Sequence, residues 1–352
     1  MIRSINIESN RMTMKKLDLT KRPRELLSRA YELAARVYEV APWKEMDERQ
    51  LLVVELKDGR KRVLSVMGEQ GTHYAIALYP SKAEYEQISS IDDHDREDLK
   101  DAFFGVNQLQ LSFERASDLM DGEMKDIRAS GAKFKRGVNP SFVSYVAGFA
   151  PARVGGEELA EVVDVIEAFL SYLDEFGSSS IPIVKSTSQL LPTWTEDAAG
   201  LWTKGENDFS GCLPVAVNLD QSLVDKVASL RVRKGLFLEV GAFVVPVGRG
   251  VDKRGKMSRL LLIVDGPTAM PLGTNVFSAP DDAEFDWSES VECVLTTFLQ
   301  MGVRPENLAV FGRSLHAVFK NITRNSFPGT KFWDHCPCDS AHQVFEAVSV
   351  GL

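Results

Sequence analysis

The chain has 352 residues, with 41 Lys plus Arg against 50 Asp plus Glu, a formal charge of −9 and a sequence pI near 5.3. A hydrophobic share of 44% excludes a disordered chain, and the acidic balance excludes a protein whose whole surface grips nucleic acid or anionic lipid. At about 150 residues per domain, the length predicts two domains.

Residues 1–20 read as a flexible polar tail without the apolar core of a signal peptide. Pro23 suits the first turn of a helix carrying Leu26, Leu27, Ala30, Leu33, Ala34 and Val37 at helical spacing. Strands at Leu51–Leu56 and Lys61–Met67 flank Asp58-Gly59, a strong hairpin signal, and His73–Tyr79 follows as a buried strand. Ser81 and Glu84 form a capping box for the next helix. The acidic stretch Asp92–Asp101 reads as a solvated helix, and its Asp92-Asp93-His94-Asp95 run as surface charge rather than metal ligands. Gln108–Phe113 alternates as a strand does, Ser117–Ala129 is helical, and Lys133–Arg136 and Phe142–Val146 are strand-like. Leu159 to Leu173 marks an amphipathic helix. Gly177 to Pro182 opens a linker and connecting region. A helix near Leu223–Leu230 then leads to strands at Leu236–Val247, Met257–Asp265 and Met270–Phe277. Helix, strand, helix, strand and helix complete the chain, from Asp286 to Val350.

This gives four segments: a tail (1–20), a first module (21–176), a connection (177–214) and a second module (215–352). Both modules read β-β-β-α-β-α-β-α. Short matches recur at an offset of about 200 residues, among them Gly131-Ala132-Lys133-Phe134 with Gly329-Thr330-Lys331-Phe332, and Phe113-Glu114-Arg115 with Phe311-Gly312-Arg313. The expected fold is therefore α/β with mixed sheets, built by internal duplication. The element string resembles the ribonuclease H-like fold. That resemblance implies clustered metal-binding carboxylates on the first strand, first helix and fourth strand. Glu239 and Glu292 occupy the first two positions in the second module, whereas its fourth strand, Asn307–Phe311, has no acid. The first module offers Glu55 and Glu114.

A second resemblance rests on Arg22-Pro23-Arg24-Glu25-Leu26-Leu27, Ala41-Pro42-Trp43, Ser65-Val66-Met67-Gly68 and Gly71 to Tyr79. It continues through Gly148-Phe149-Ala150-Pro151 and Gly302 to Glu306. These blocks resemble an uncharacterised bacterial family known only as domains of unknown function. The chain departs from that family's pattern at Cys336-Pro337-Cys338, where the family usually has no cysteines.

His335, Cys336, Cys338 and His342 form the densest cluster of possible zinc ligands, but no second pair follows, so no metal and no cofactor are assigned. Cys212 stands alone and reads as an inert buried thiol, while His73 and His316 read as structural. Arg249, Lys253, Arg254, Lys256 and Arg259 make a basic hairpin tip with Arg231, Arg233 and Lys234 nearby, a patch able to touch phosphate or an acidic partner. Four cysteines form no secreted framework, and the longest solid apolar run, Leu260–Val264, is far below the roughly 20 residues of a membrane helix. The chain is read as a cytoplasmic, non-enzymatic binding protein with an unknown protein or nucleic-acid partner. The alternative is a divergent ribonuclease H-like nuclease or nucleic-acid binder that uses the basic hairpin 249–259.

Overall fold

The structure is a computed structural model that describes residues 23–68, 71, 73–89, 105–135, 137–185, 189–207, 217–249, 254–278, 287–334 and 336–349. The expected tail, the Asp92–Asp101 helix, Cys212, Lys253 and His335 lie outside the described residues.

Two sheets organise the chain. The first begins after α1 (Arg24–Val40) and contains β1 (Leu52–Glu55), β2 (Lys61–Met67) and β3 (Ala75–Tyr79). Then come α2 (Lys82–Ser89), β4 (Gln108–Glu114), α3 (Glu123–Ser130), β5 (Asn139–Tyr145), β6 (Ala152–Arg153) and α4 (Gly156–Phe176). The hairpin signal between β1 and β2 works as expected: Gly59 adopts φ +84°, and Asp58 accepts from the Arg60 backbone N–H at 3.1 Å. Alternation along the strands sends Leu52, Val54, Leu64, Val66, Ile76, Leu78, Leu109 and Leu111 to one face. There they bury against Tyr31, Ala34 and Val37 of α1 and Val162, Ile166 and Phe169 of α4.

The connecting region holds a difference from the sequence reading. Residues 191–207 form β7 (Leu191–Glu196) and β8 (Trp202–Asn207), which extend the first sheet. Strand β7 pairs parallel with β1, so α4 serves as the long crossover that a parallel pair requires. Trp194 anchors it, meeting Tyr172 and Phe176 edge-on and stacking on Trp202 at 5.6 Å. Pro192 obscures this strand in the sequence, because proline argues against an interior strand. The expected strand at Lys133–Arg136 is absent among the described residues; 131–135 is irregular.

The second sheet contains β9 (Val232–Arg249), β10 (Gly255–Asp265), β11 (Met270–Ser278), β12 (Arg304–Phe311) and β13 (Lys331–Trp333). Helices α5 (Gln221–Ala228), α6 (Ser288–Met301), α7 (Arg313–Ser326) and α8 (Asp339–Ser349) accompany it. Leu236, Leu238, Val240, Ala242, Leu261 and Ile263 face α5, α6 and α7. Phe243, Val245, Leu260, Leu262 and Val264 face α8.

The two sheets do not share a strand order, which corrects the expectation of two like modules. The first runs β6-β5-β4-β3-β2-β1-β7-β8 and the second β11-β10-β9-β12-β13. Strand β4 adds antiparallel beside β3, whereas β12 adds parallel beside β9. The repeated Gly131 and Gly329 both turn the chain just after a helix, at φ +77° and +86°. That conformation is a common helix-stop device, and it arises without common descent.

The second module's hairpin reaches the first module. Ala150 N–H donates to Gly255 O at 2.7 Å, and Met257 N–H to Gly148 O at 2.8 Å. At the opposite end of β9, Arg304 is buried between the C-terminal ends of α5 and α7. Its Nε donates to Leu230 O at 3.2 Å and its Nη2 to Pro328 O at 3.1 Å, while the guanidinium lies over Phe327. Two backbone carbonyls just beyond the helices thus hydrogen-bond this buried cation in place of a carboxylate. Burial still lowers its pKa from the ordinary arginine value.

Arg304→Met leaves both carbonyls unsatisfied and should lower stability by about 2–3 kcal/mol in urea unfolding. A loss below about 0.5 kcal/mol, the level of an ordinary surface substitution, would show that the clamp contributes nothing. Phe169→Ala and Phe298→Ala, at fully buried positions in the two main cores, should each cost about 3–5 kcal/mol.

Candidate binding groove at the edge of the second sheet

Strand β11 ends the second sheet, so one of its backbone edges has no strand partner among the described residues. Val276 N–H donates to the Asn275 side chain at 2.9 Å. It therefore points away from β10, and the alternation of an antiparallel pair puts Thr274 in the same outward set. Met270 and Val276 are exposed on this strand.

Beside that edge, β11 and α6 enclose a groove of about 500 Å³. Leu272 and Phe277 supply its apolar floor, and Glu289, Glu292, Thr296 and Gln300 form its α6 wall. Their helical spacing places these four on one side of α6. Neither Glu289 nor Glu292 has an ion-pair partner among the described residues. Cys293 also lines the groove; burial raises its thiol pKa, while contact with Asn275 opposes the shift. The chemistry on offer is hydrogen bonding from an open strand edge, an apolar floor and two acceptor-only carboxylates. Sequence reasoning singled out Glu292 but missed Glu289 and Asn275. The available signal was an acidic pair three residues apart on a helix that follows an edge strand.

The basic hairpin is partly consumed by the fold. Arg254 donates to Ser144 Oγ at 3.1 Å and Glu158 Oε1 at 3.2 Å, joining the modules at the N-terminus of α4. Arg259 is buried with its guanidinium 4.8 Å from the Trp287 ring centroid. Lys256 is half-buried and bridges to Phe149. Arg249 ends β9, and Lys253 lies outside the described residues. Arg254, Lys256 and Arg259 thus do not form an exposed patch.

The cysteine loop also enters the core. Cys338 is buried with a left-handed backbone, φ +51°. Burial, then neighbouring Cys336 and Glu239, push its thiol well above the usual range. His342 lies edge-on to Phe243 and Phe311, and its Nδ1 is 3.0 Å from Cys338 O. No group of three or more metal-ligating side chains converges among the described residues.

The carboxylates suggested by the ribonuclease H resemblance are separated by the sheet. Glu239 alternates with Leu238 and Val240 and so faces α8, where its Oε2 accepts from Ala341 N–H at 2.9 Å. Glu292 belongs to α6 on the other face. In the first module, Glu55 pairs with Lys61 at 3.1 Å. Glu114 lies 3.6 Å from His73, and together with burial it raises the pKa of Tyr145, burial being the larger cause. Gln110 Nε2 is 3.1 Å from His73 Nε2, and Gln108 Nε2 donates to Gln110 Oε1 at 2.8 Å. His73 thus joins a hydrogen-bonded chain along the strands. His316 contacts Asp334 O at 3.2 Å and packs on Phe332.

Residues 28–191 match a family model described as a domain of unknown function, DUF7309. The match runs from within α1 to the first residue of β7 and leaves the second sheet outside it. No curated protein and no solved structure matches the chain. Among the described residues, no helix is long and apolar enough to cross a membrane.

Glu239 acts as a structural acceptor at the start of α8. Glu239→Gln keeps an acceptor oxygen and should leave stability within about 0.5 kcal/mol, whereas Glu239→Ala should cost about 1–3 kcal/mol. Equal losses in thermal unfolding would remove the hydrogen bond as the reason for this residue.

Proposed function

We propose that the chain is an intracellular, non-enzymatic binding protein that receives an extended, basic peptide segment on β11. The observation that carries this reading is the β11 edge, without a strand partner among the described residues, beside a groove whose two carboxylates have no ion-pair partner among them. Main-chain hydrogen bonds to an added strand would supply affinity, and the groove would select alternate side chains. Lysine or arginine side chains fit Glu289 and Glu292, since no basic residue among the described ones lines the groove.

The second module's strand order supports a ribonuclease H-like frame, with three antiparallel strands and two parallel ones added beside the first. On this reading the frame serves binding rather than phosphodiester cleavage, because Glu239 is occupied by α8 and lies across the sheet from Glu292. The engagement of Arg254 and Arg259 also weakens the nucleic-acid reading of the hairpin.

A fluorescein-labelled decapeptide of alternating lysine and threonine tests the proposal by anisotropy. Binding at a Kd on the order of 10 μM is expected, weakening with added salt and falling at least about tenfold in Glu289→Lys/Glu292→Lys. Equal binding of a glutamate–threonine peptide, or an unchanged Kd in the double variant, would defeat the assignment.

A further inference from the structure

We propose that Asn275 gates the β11 edge: its side chain holds the outward backbone donor that an arriving strand needs, and docking displaces it. This inference rests on the peptide-binding reading above and names how that site is regulated.

The first support is geometric. Asn275 Oδ1 accepts from the next residue's N–H, Val276, at 2.9 Å. A side chain that folds back on its own strand blocks the edge without adding a strand, which protects against indiscriminate pairing. The second support comes from α6. Asn275 and Cys293 line the groove from opposite sides, and the Asn275 side chain lowers the thiol's pKa against the larger rise from burial, so it faces the helix as well as its own strand. That space is already narrow nearby, since a side-chain carbon at Gly273 would lie 3.2 Å from Thr297 Oγ1. The third support is exposure. Thr274, Asn275 and Val276 are all exposed, so the released carboxamide can exchange its two contacts for water. A segment that binds must offer its own carbonyl to Val276 N–H in place of Asn275. Extended segments satisfy that requirement, whereas helical ones use their carbonyls internally.

The test uses the full chain with Asn275→Ala, and with Thr274→Ala as a neighbouring control. Amide hydrogen exchange at Val276 should accelerate about tenfold in Asn275→Ala and stay unchanged in Thr274→Ala. The lysine–threonine decapeptide should bind Asn275→Ala about five- to tenfold more tightly than the parent chain, because no guard must be displaced. Unchanged exchange at Val276 overturns the gate and leaves peptide binding standing. Faster exchange with no peptide bound by either protein overturns the peptide reading, and the gate's role in docking falls with it. Faster exchange with equal peptide affinity overturns the gate alone, since the guard would then not oppose the arriving strand.

Discussion

Strand β9 is the constraint on which the second half depends. Its 18 residues pair with β10 on one side and β12 on the other, and both faces of its central stretch, 236–245, are largely buried. Leu238 and Val240 enter one core, while Phe243 and Val245 enter the other. A single acid on such a strand must find a partner or remain an uncompensated polar group in a dry interior. Glu239 finds it in the first turn of α8. The same strand ends near Arg304 at one extreme and carries the hairpin toward the first module at the other. Its burial thus links helix docking, module contact and the loss of a free carboxylate.

Central burial leaves exposure to the edges. Strand β13 has three residues, too short to offer a long template, whereas β11 has nine. A long edge is a hazard for self-association and also an opportunity for recognition. The self-capping of Val276 by Asn275 reduces the hazard while the carboxylates on α6 determine which charge the edge would attract. The basic residues that stand out in the sequence work elsewhere. Arg254 ties the modules together, Arg259 stacks on Trp287, and Arg304 sits between two helix ends.

The first sheet follows a different logic. Its strands β1 to β6 form a meander, each beside its predecessor, until α4 returns the chain to the far side of β1. Trp194 fills the space between α4 and β8, and this aromatic cluster places β7 there despite Pro192. The DUF7309 match ends where β7 begins, although the sheet continues for two strands.

Local chemistry was legible in the sequence. The Asp58-Gly59 turn, the left-handed glycines after helices and the two-residue alternation of the strands act over a few neighbouring residues. They therefore determined most elements and the α/β class without reference to distant partners. Strand order was not legible, because β4 and β12 carry similar local signals yet join opposite sides of their hairpins. Only tertiary packing chooses the neighbour, through faces such as Trp194 on Tyr172 that bring distant segments together. The candidate site has the same division. The acids of α6 were visible as residue types, but their standing beside an open edge depends on where the sheet stops, a property of the whole assembly of strands.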